Sequence, residues 1–384
     1  MNLSNIILPG QTIGIIGGGQ LGRMMGLAAK AKGFRIAVLD PTEDSPCGQV
    51  ADVKIVAGYD DLEAIKRLAE VSDVITYEFE NIDAAALNWL CENAYVPQGK
   101  KLLEITQNRV TEKAAIVAAG VEVAPYKVIE SMEDLYKSVE IIGYPAVLKT
   151  ATGGYDGKGQ LVIRTEEDIA KGQLLVESGV CVLEKWIPFE KEISVIVVRN
   201  SLGETAVFPV GENIHKDNIL HETIVPARID VDAKNSAISL ATQLAESLNL
   251  VGTLAVEMFL TEEGQIYINE LAPRPHNSGH YSIEACETSQ FEQHIRAVCN
   301  WPLGSTELLK PVVMVNILGE HQEEVLKNIP NYPNWKIHLY GKKEAKTKRK
   351  MGHVTVLHHS VEEAISEIDN SGIWEQAKER IGGY

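Results

Sequence analysis

Apolar positions along this chain change period several times, and the changes mark out its organisation. Thr12–Ile16 is an apolar run of strand length, Gln20–Lys32 is rich in Ala, Met and Leu and reads as a helix, and Arg35–Leu39 is a second apolar run. Ser72–Tyr77 and Tyr95–Pro97 read as later strands, with helices over 61–71 and 83–93. Strands and helices in alternation build a mostly parallel sheet.

The character changes from about Asn108. A helix over 109–119 stops at Gly120, and the capping box SMED at 131–134 opens another that runs to about Ile142. Pro145–Lys149 and Gln160–Arg164 are short β-rich runs, and TEED at 165–168 caps a third helix. Strand-like segments then dominate at 180–184, 191–198 and 205–210, and a long helix over 232–248 precedes the runs 253–260 and 265–271. After Trp301 the mixed pattern recurs in small: VVMVNIL, a helix near 321–328, KIHLY, HVTVLH, and a final helix capped by SVEE at 360–363. There is no internal repeat or low-complexity stretch.

A chain of 384 residues exceeds one ordinary core and suits two or three domains. Its 36 Lys+Arg against 53 Asp+Glu give a formal charge of −17, which disfavours nucleic acid and anionic membranes as partners. A local basic cluster on such a surface points to a small anion. No apolar run approaches the roughly 20 residues of a membrane span, and the N-terminus lacks the basic start of a signal peptide, so a cytoplasmic location is expected. Five scattered cysteines without CxxC read as buried thiols.

Two glycine loops compete for a nucleotide. Gly17, Gly19 and Gly22 form GxGxxG between a strand and a helix, with Asp40 ending the next strand where a ribose-binding acid would sit. A dinucleotide site and a plain tight turn both fit. The second loop, KTATGGYDGKGQ at 149–160, lies between two strands and offers no helix N-terminus; GxxxxGK[ST] is absent. It offers the free N–H groups of Gly153, Gly154, Gly157 and Gly159 with the charges of Lys149 and Lys158, a hairpin suited to fold over a polyphosphate.

A second signal lies in TLAVEMFLTEEGQIYINEL, 253–271. A turn centred between Glu263 and Gly264 sets Glu257 opposite Glu270. Cross-strand Cβ atoms stand about 5 Å apart and like charges there repel, so a divalent cation is the simple relief. Hard oxygen ligands point to Mg²⁺, which also binds substrate phosphates, and Asn269 adjoins. The bland alternative is a one-residue slip that turns one glutamate to solvent. Phe259 shares the face of Glu257. KKEAKTKRK, 342–350, holds six basic residues and runs straight into a strand; it reads as an anion site more than as a solvated tail. His276 and His280 lack a third zinc ligand and stand in a Pro-rich loop, and His358 and His359 read as surface residues. No Ser/His/Asp or Cys/His nucleophile motif is present.

These residues resemble the ATP-grasp superfamily, and within it the 5-(carboxyamino)imidazole ribonucleotide synthase family of purine biosynthesis. The motifs run nearly the full length: GGGQLGRM at 17–24, YEFEN at 77–81, QNRVTEK at 107–113, GGYDGKGQ at 153–160, EKWIPFEKEISV at 184–195, INELAPRPHNSGHY at 268–281 and RKMGH at 349–353. The resemblance implies a chain of mixed α/β and α+β class in three parts, an N-terminal Rossmann-like sheet (1–108), a central ATP-grasp (109–303) and a small C-terminal domain (304–384).

It also implies roles. Arg109 and Lys149 would contact ATP phosphates under a lid of Gly154, Tyr155, Asp156, Gly157, Lys158, Gly159 and Gln160. Glu184, Lys185, Trp186 and Ile187 would read adenine, Glu192 would hold the ribose, and His215 would sit near the nucleotide. Glu257 and Glu270 would ligate Mg²⁺, with Asn269 beside the phosphates. Bicarbonate and aminoimidazole ribonucleotide would lie near Gln20, Tyr155, Asp156, Arg274, His276, Asn277 and the basic segment, where Arg349 and either Lys342 or Lys343 would act. Where many members carry arginine after the strand lysine, this chain has Thr150, Ala151 and Thr152. The implied reaction is ATP-dependent carboxylation through carboxyphosphate, in a homodimer. The competing readings are a sister ligase such as a formate-dependent glycinamide ribonucleotide transformylase, an NAD-dependent dehydrogenase on the first loop, and a nucleotide-binding regulator without turnover.

Overall fold

Four parallel strands open the chain in the computed structural model, which describes residues 6–154 and 158–374. β1 (Thr12–Ile16), β2 (Arg35–Leu39), β3 (Val53–Ile55) and β4 (Val74–Tyr77) lie in the order β3-β2-β1-β4. Their apolar runs are buried on both faces, as helix-covered parallel strands must be. The strand expected at Tyr95–Pro97 does not form. Tyr95 accepts one ladder hydrogen bond, from Ile75 N at 2.9 Å, but Pro97 has no N–H and the chain turns away.

A small antiparallel lobe follows, with β5 (Tyr126–Ile129), β6 (Ala146–Thr150), β7 (Gln160–Ile163) and β8 (Cys181–Lys185) in the order β5-β8-β6-β7. The glycine loop is the β6–β7 connection. Behind it lies the Met132–Ile142 helix, capped by Ser131 Oγ, which accepts from Asp134 N at 3.1 Å. The Thr165 capping box opens the expected helix as a single turn, Glu166–Ile169, followed by a 3₁₀ turn and a second short helix, Gln173–Ser178. Gly172 lets this segment press on the sheet, since a Cβ there would stand 2.9 Å from Leu148 Cδ2.

The largest sheet has nine strands. β9 (Phe189–Arg199), with β10 (Thr205–Val207) on its edge, pairs with β11 (Gly211–Lys216) and β13 (Gly252–Thr261); β12 (Ile219–Val225), β14 (Ile266–Ala272), β15 (Val312–Leu318), β16 (Lys336–Leu339) and β17 (Lys350–Leu357) complete the order β14-β13-β9-β11-β12-β15-β17-β16. The strands of the C-terminal segment therefore extend the central sheet, joined through β12 and β15. One face is covered by the Val231–Ser247 helix through Ala237, Ala241 and Leu244. The Gln290–Val298 helix packs its Phe291, Ile295 and Val298 into the same core as Ile13 and Ile15 of β1. This helix joins the N-terminal sheet to the central one. All five cysteines are free thiols.

Candidate functional site

The three sheets meet around a cleft of about 1780 Å³. Its walls bring together nearly every residue the sequence singles out: Arg109, Lys149, Gly154, Lys158, Gly159, Gln160, Glu184, Lys185, Trp186, Ile187, Glu192, His215, Glu257, Asn269, Glu270, Arg274, His276 and Asn277. Tyr155, Asp156 and Gly157 lie outside the described residues. Lys342, Lys343 and Arg349 stand outside the cleft wall, whereas Lys350 lines it.

The carboxylate pair is built by a β-bulge. Near the turn the pairs are Leu260 with Ile266 and Phe259 with Tyr267, so the hairpin centres on Glu263, half a residue from the expected place. The register then shifts between Glu257 and Met258, and Glu257 stands opposite Glu270 as expected. The extra residue is Asn269. A bulge turns two successive side chains of one strand toward one partner, and Asn269 and Glu270 both line the cleft. Burial, and next the charge of Glu270, push the Glu257 carboxyl up to about 7. His276 Nε2 lies 3.2 Å from Glu257 Oε1, and Arg109 Nη1 3.3 Å from Glu270 Oε2.

Cations also gather around a buried carboxylate on β8. Glu184 is buried, with Lys113 Nζ 3.2 Å from Oε1 and Lys149 Nζ 3.1 Å from Oε2. Burial opposes its charge, but Lys149 and Lys113 together hold its carboxyl below the usual range. Lys149 also donates toward Asn269 Oδ1 at 3.5 Å. Glu184 is thus the counter-ion of two lysines, while the main chain after it bounds the cleft. Lys185 N and Trp186 N donate to the carbonyls of Pro125 and Pro145. Further along, Phe259 stacks on Phe189 with ring centroids 4.6 Å apart. His215 Nδ1 is 2.7 Å from Glu192 Oε2; burial pulls the ring's pKa down, and the Glu192 carboxylate more than offsets it.

Arg274, His276 and Asn277 follow β14 in one loop. Arg274 Nε is 2.8 Å from Glu80 Oε1, in the segment that follows β4. Ser278 N donates to His276 Nδ1 at 3.3 Å. Burial, then the charge of Arg274, hold this imidazole well below its ordinary pKa. It is therefore neutral, with its proton on Nε2 facing Glu257.

The first glycine loop is already filled. Gly18 N donates to Asp40 Oδ2 at 2.7 Å, and Gly22 N to Glu78 Oε2 at 2.6 Å, with Gly19 N on the other Glu78 oxygen. A carboxylate thus occupies the helix N-terminus where a pyrophosphate would sit, which decides for the tight turn. Gly19, Gln20 and Glu78 form one end of the cleft.

Reading the sequence assigns no role to Glu78 or Lys113, and none to Lys350 beyond its place in the basic run 342–350. Glu78 does carry a signal, because like Asp40 it ends a parallel strand at the edge where such sheets bind ligands. Lys350 is the last of the six basic residues and the one that enters β17. Lys113 shows no signal, since nothing in a helical pattern says that a lysine is 1% exposed.

Family models match along the whole architecture: a ribonucleotide synthetase preATP-grasp domain over residues 10–107, an ATP-grasp domain over 114–291 and a phosphoribosylaminoimidazole carboxylase C-terminal domain over 312–367. The N5-carboxyaminoimidazole ribonucleotide synthase of Bacillus subtilis is 58% identical over 365 residues, 95% of this chain and 96% of its own. An ADP complex of an N5-carboxyaminoimidazole ribonucleotide synthetase superposes with a TM-score of 0.95 at 62% identity, covering 97% of this chain and 99% of that one. The Aspergillus clavatus enzyme in complex with ADP and 5-aminoimidazole ribonucleotide does so with a TM-score of 0.89 at 32% identity, covering 94% and 97%. By sequence, fold and the make-up of this cleft, the chain belongs to the N5-carboxyaminoimidazole ribonucleotide synthases, ATP-dependent ligases of the ATP-grasp superfamily.

Proposed function

We propose that this protein carboxylates the exocyclic amine of 5-aminoimidazole ribonucleotide with bicarbonate, converting ATP to ADP and phosphate by way of carboxyphosphate. The observation that carries the reading is a single cleft in which the carboxylate pair adjoins the Arg274–His276–Asn277 loop, with His276 Nε2 3.2 Å from Glu257 Oε1. An acyl phosphate made at the first is within the same walls as an amine held at the second, so the labile intermediate need not cross water.

The ATP triphosphate lies between Lys149, Arg109 and the β6–β7 loop, with adenine against the Lys185–Ile187 backbone. Ile187 N meets no backbone carbonyl among the described residues and is the amide free to donate to the base. Glu192, tied to His215, takes the ribose hydroxyls.

Glu257, Glu270 and the Asn269 amide fit Mg²⁺. They are hard oxygen donors, and a like-charged pair on neighbouring strands is costly without a cation. Among the described residues no three His, Cys, Asp or Glu converge as a metal cage. When bound, Mg²⁺ neutralises phosphate charge during transfer.

Arg274 holds the bicarbonate carboxylate, and neutral His276 donates from Nε2 to an anionic oxygen. At the acceptor end Lys342 is the better candidate for the 5′-phosphate than Lys343. Lys342 is half-buried, and its ammonium donates to Lys350 O at 2.8 Å, whereas Lys343 is exposed and, among the described residues, pairs with Asp44 at 3.6 Å. The protein is read as a cytoplasmic homodimer, which sedimentation tests.

ADP release measured with each acid and amine decides the chemistry. Rapid release requires bicarbonate and aminoimidazole ribonucleotide together; release with formate but not bicarbonate overturns the substrate assignment.

A further inference from the structure

Gln290 opens the helix that joins the N-terminal sheet to the central one, and its side chain is fully buried. Its amide brackets one residue of the acceptor loop. Oε1 accepts from His276 N at 2.9 Å, and Nε2 donates to His276 O at 2.7 Å. The second Nε2 hydrogen faces His280 Nδ1 at 3.2 Å, and the Gln290 backbone N donates to Ser282 Oγ at 2.9 Å. The loop presses close: a Cβ on Gly279 would stand 2.4 Å from Gln290 Oε1. Gln290 thus meets both main-chain groups of His276 as a neighbouring strand would, at a place where no strand runs.

The helix carrying this amide is itself braced against the metal strand. One turn on, His294 Nδ1 accepts from Thr253 N of β13 at 3.2 Å, and its Nε2 is 2.7 Å from Thr76 Oγ1 of β4. Glu257 lies on that same β13, and His276 Nε2 is 3.2 Å from its carboxylate. Contacts therefore run in a closed circuit from helix to loop to carboxylate strand and back to helix. The next loop residues are held elsewhere. Asn277 pairs reciprocally with Asn316 at 3.0 and 2.8 Å, and Ser194 Oγ lies 2.9 Å from Ser278 Oγ. The amide of Gln290 clamps the main chain of His276 alone, and its remaining hydrogen faces the His280 ring.

We propose that Gln290 is a positioning residue of the ligase reaction, setting the His276 imidazole between the carboxylate pair and the acceptor end of the cleft. This rests on the function proposed above and adds a residue that no cleft wall contains. A side chain that clamps N–H and C=O together fixes the backbone angles on both sides of His276, and sub-ångström placement of a donor governs how well it meets charge developing in the transition state.

The test uses full-length protein and two variants. Gln290→Met keeps the volume and removes both clamping bonds. Gln290→Glu reproduces both bonds while the acid is protonated, with C=O accepting and O–H donating. Once ionised, it faces the His276 carbonyl with a second acceptor. We expect Gln290→Met to lower kcat at least tenfold with KM for ATP within twofold of wild type. Gln290→Glu should approach wild-type turnover near pH 6 and lose it as pH rises, an ionisation absent from the wild-type profile. Because Gln290 acts through His276, His276→Ala/Gln290→Met should be no slower than His276→Ala alone.

Rates are scaled to ATP-binding sites counted by calorimetry, so loss of folded protein does not read as loss of catalysis. If scaled kcat for Gln290→Met matches wild type, or the double variant shows the product of the single effects, the proposal fails. Should the Met variant not fold, the Glu variant decides: a constant ratio to wild type from pH 6 to 9 overturns it. Absence of ADP release by the wild type itself would instead overturn the function, and the two failures are told apart in one experiment.

Discussion

Removing one charge at Glu184 should cost more than any other isosteric change in the cleft. The residue is 3% exposed, and its carboxylate stands 3.2 Å from Lys113 and 3.1 Å from Lys149. Glu184→Gln keeps the shape and leaves two ammonium groups facing each other without a counter-ion. Breaking a buried ion pair in this way costs about 3–5 kcal/mol. At roughly 2–4 °C per kcal/mol for a domain of 150–250 residues, the melting midpoint should fall by about 6–20 °C. The coupling has a definite sign. In the variant, Lys113→Met removes the surplus cation, so Lys113→Met/Glu184→Gln should recover more than half of the loss, because apolar replacement of a whole buried pair is close to neutral. ATP brings negative charge to Lys149, so saturating MgATP should narrow the gap between Glu184→Gln and wild type. Thermal unfolding followed by circular dichroism, with and without MgATP, reads all three effects. If the double variant melts below Glu184→Gln, or the single variant melts within about 2 °C of wild type, the two lysines do not depend on this carboxylate.

Other consequences follow from the same geometry. Glu257→Gln relieves a cross-strand repulsion worth about 0.2–1 kcal/mol, so without Mg²⁺ the variant should be as stable as wild type or slightly more so, while ADP release falls on the order of a hundredfold; a destabilisation seen by urea titration would argue against repulsion. Burial, with the charge of Arg349, lowers Lys342 to about 8. The charged form that holds a phosphate is then lost as pH rises through 8, and affinity for the ribonucleotide should fall by up to about tenfold per unit above it. Lys342→Arg stays charged and should flatten that dependence, measured as KM for the ribonucleotide between pH 7 and 9. NADH should give no fluorescence transfer from tryptophan, since Glu78 fills the first glycine loop, whereas MgATP should protect the protein against unfolding; saturable NADH binding would refute the filled-loop reading.

Much of this architecture is legible in the sequence because apolar period and caps act locally. Ser131, Asp230 and Ser360 each cap the helix that follows through a side-chain bond, and the strands of the parallel sheet stand out as unbroken apolar runs. What local pattern omits is long-range partnership. Tyr95–Pro97 has strand composition, yet only a neighbour with matching donors makes a strand, and proline withholds one. The joining of β12 to β15 is likewise invisible, because it pairs Val225 with Val312 across a long stretch of chain. The same limit hides Lys113 and Gln290, whose polar ends are spent on residues distant in sequence.

The carboxylate pair shows where local reasoning reaches the right contact by an incomplete route. Alternation alone puts Glu257 and Phe259 on one face and, with a turn between Glu263 and Gly264, sets Glu270 across from Glu257. The hairpin instead turns on Glu263, and a straight ladder from that turn would set Asn269 there and send Glu270 to the other face. The bulge restores the pair and adds the amide, so three oxygen-bearing side chains converge where plain pairing would supply two. Bulges re-aim side chains beside active sites, and this one has a direct test. Deleting Asn269 leaves a regular hairpin with Glu270 still opposite Glu257, but without the amide beside Lys149. If the amide matters for phosphate placement, the deletion should keep the melting midpoint within about 4 °C, on the order of 1 kcal/mol, and lower kcat by about tenfold or more. Unchanged turnover would mean that the bulge serves the sheet alone.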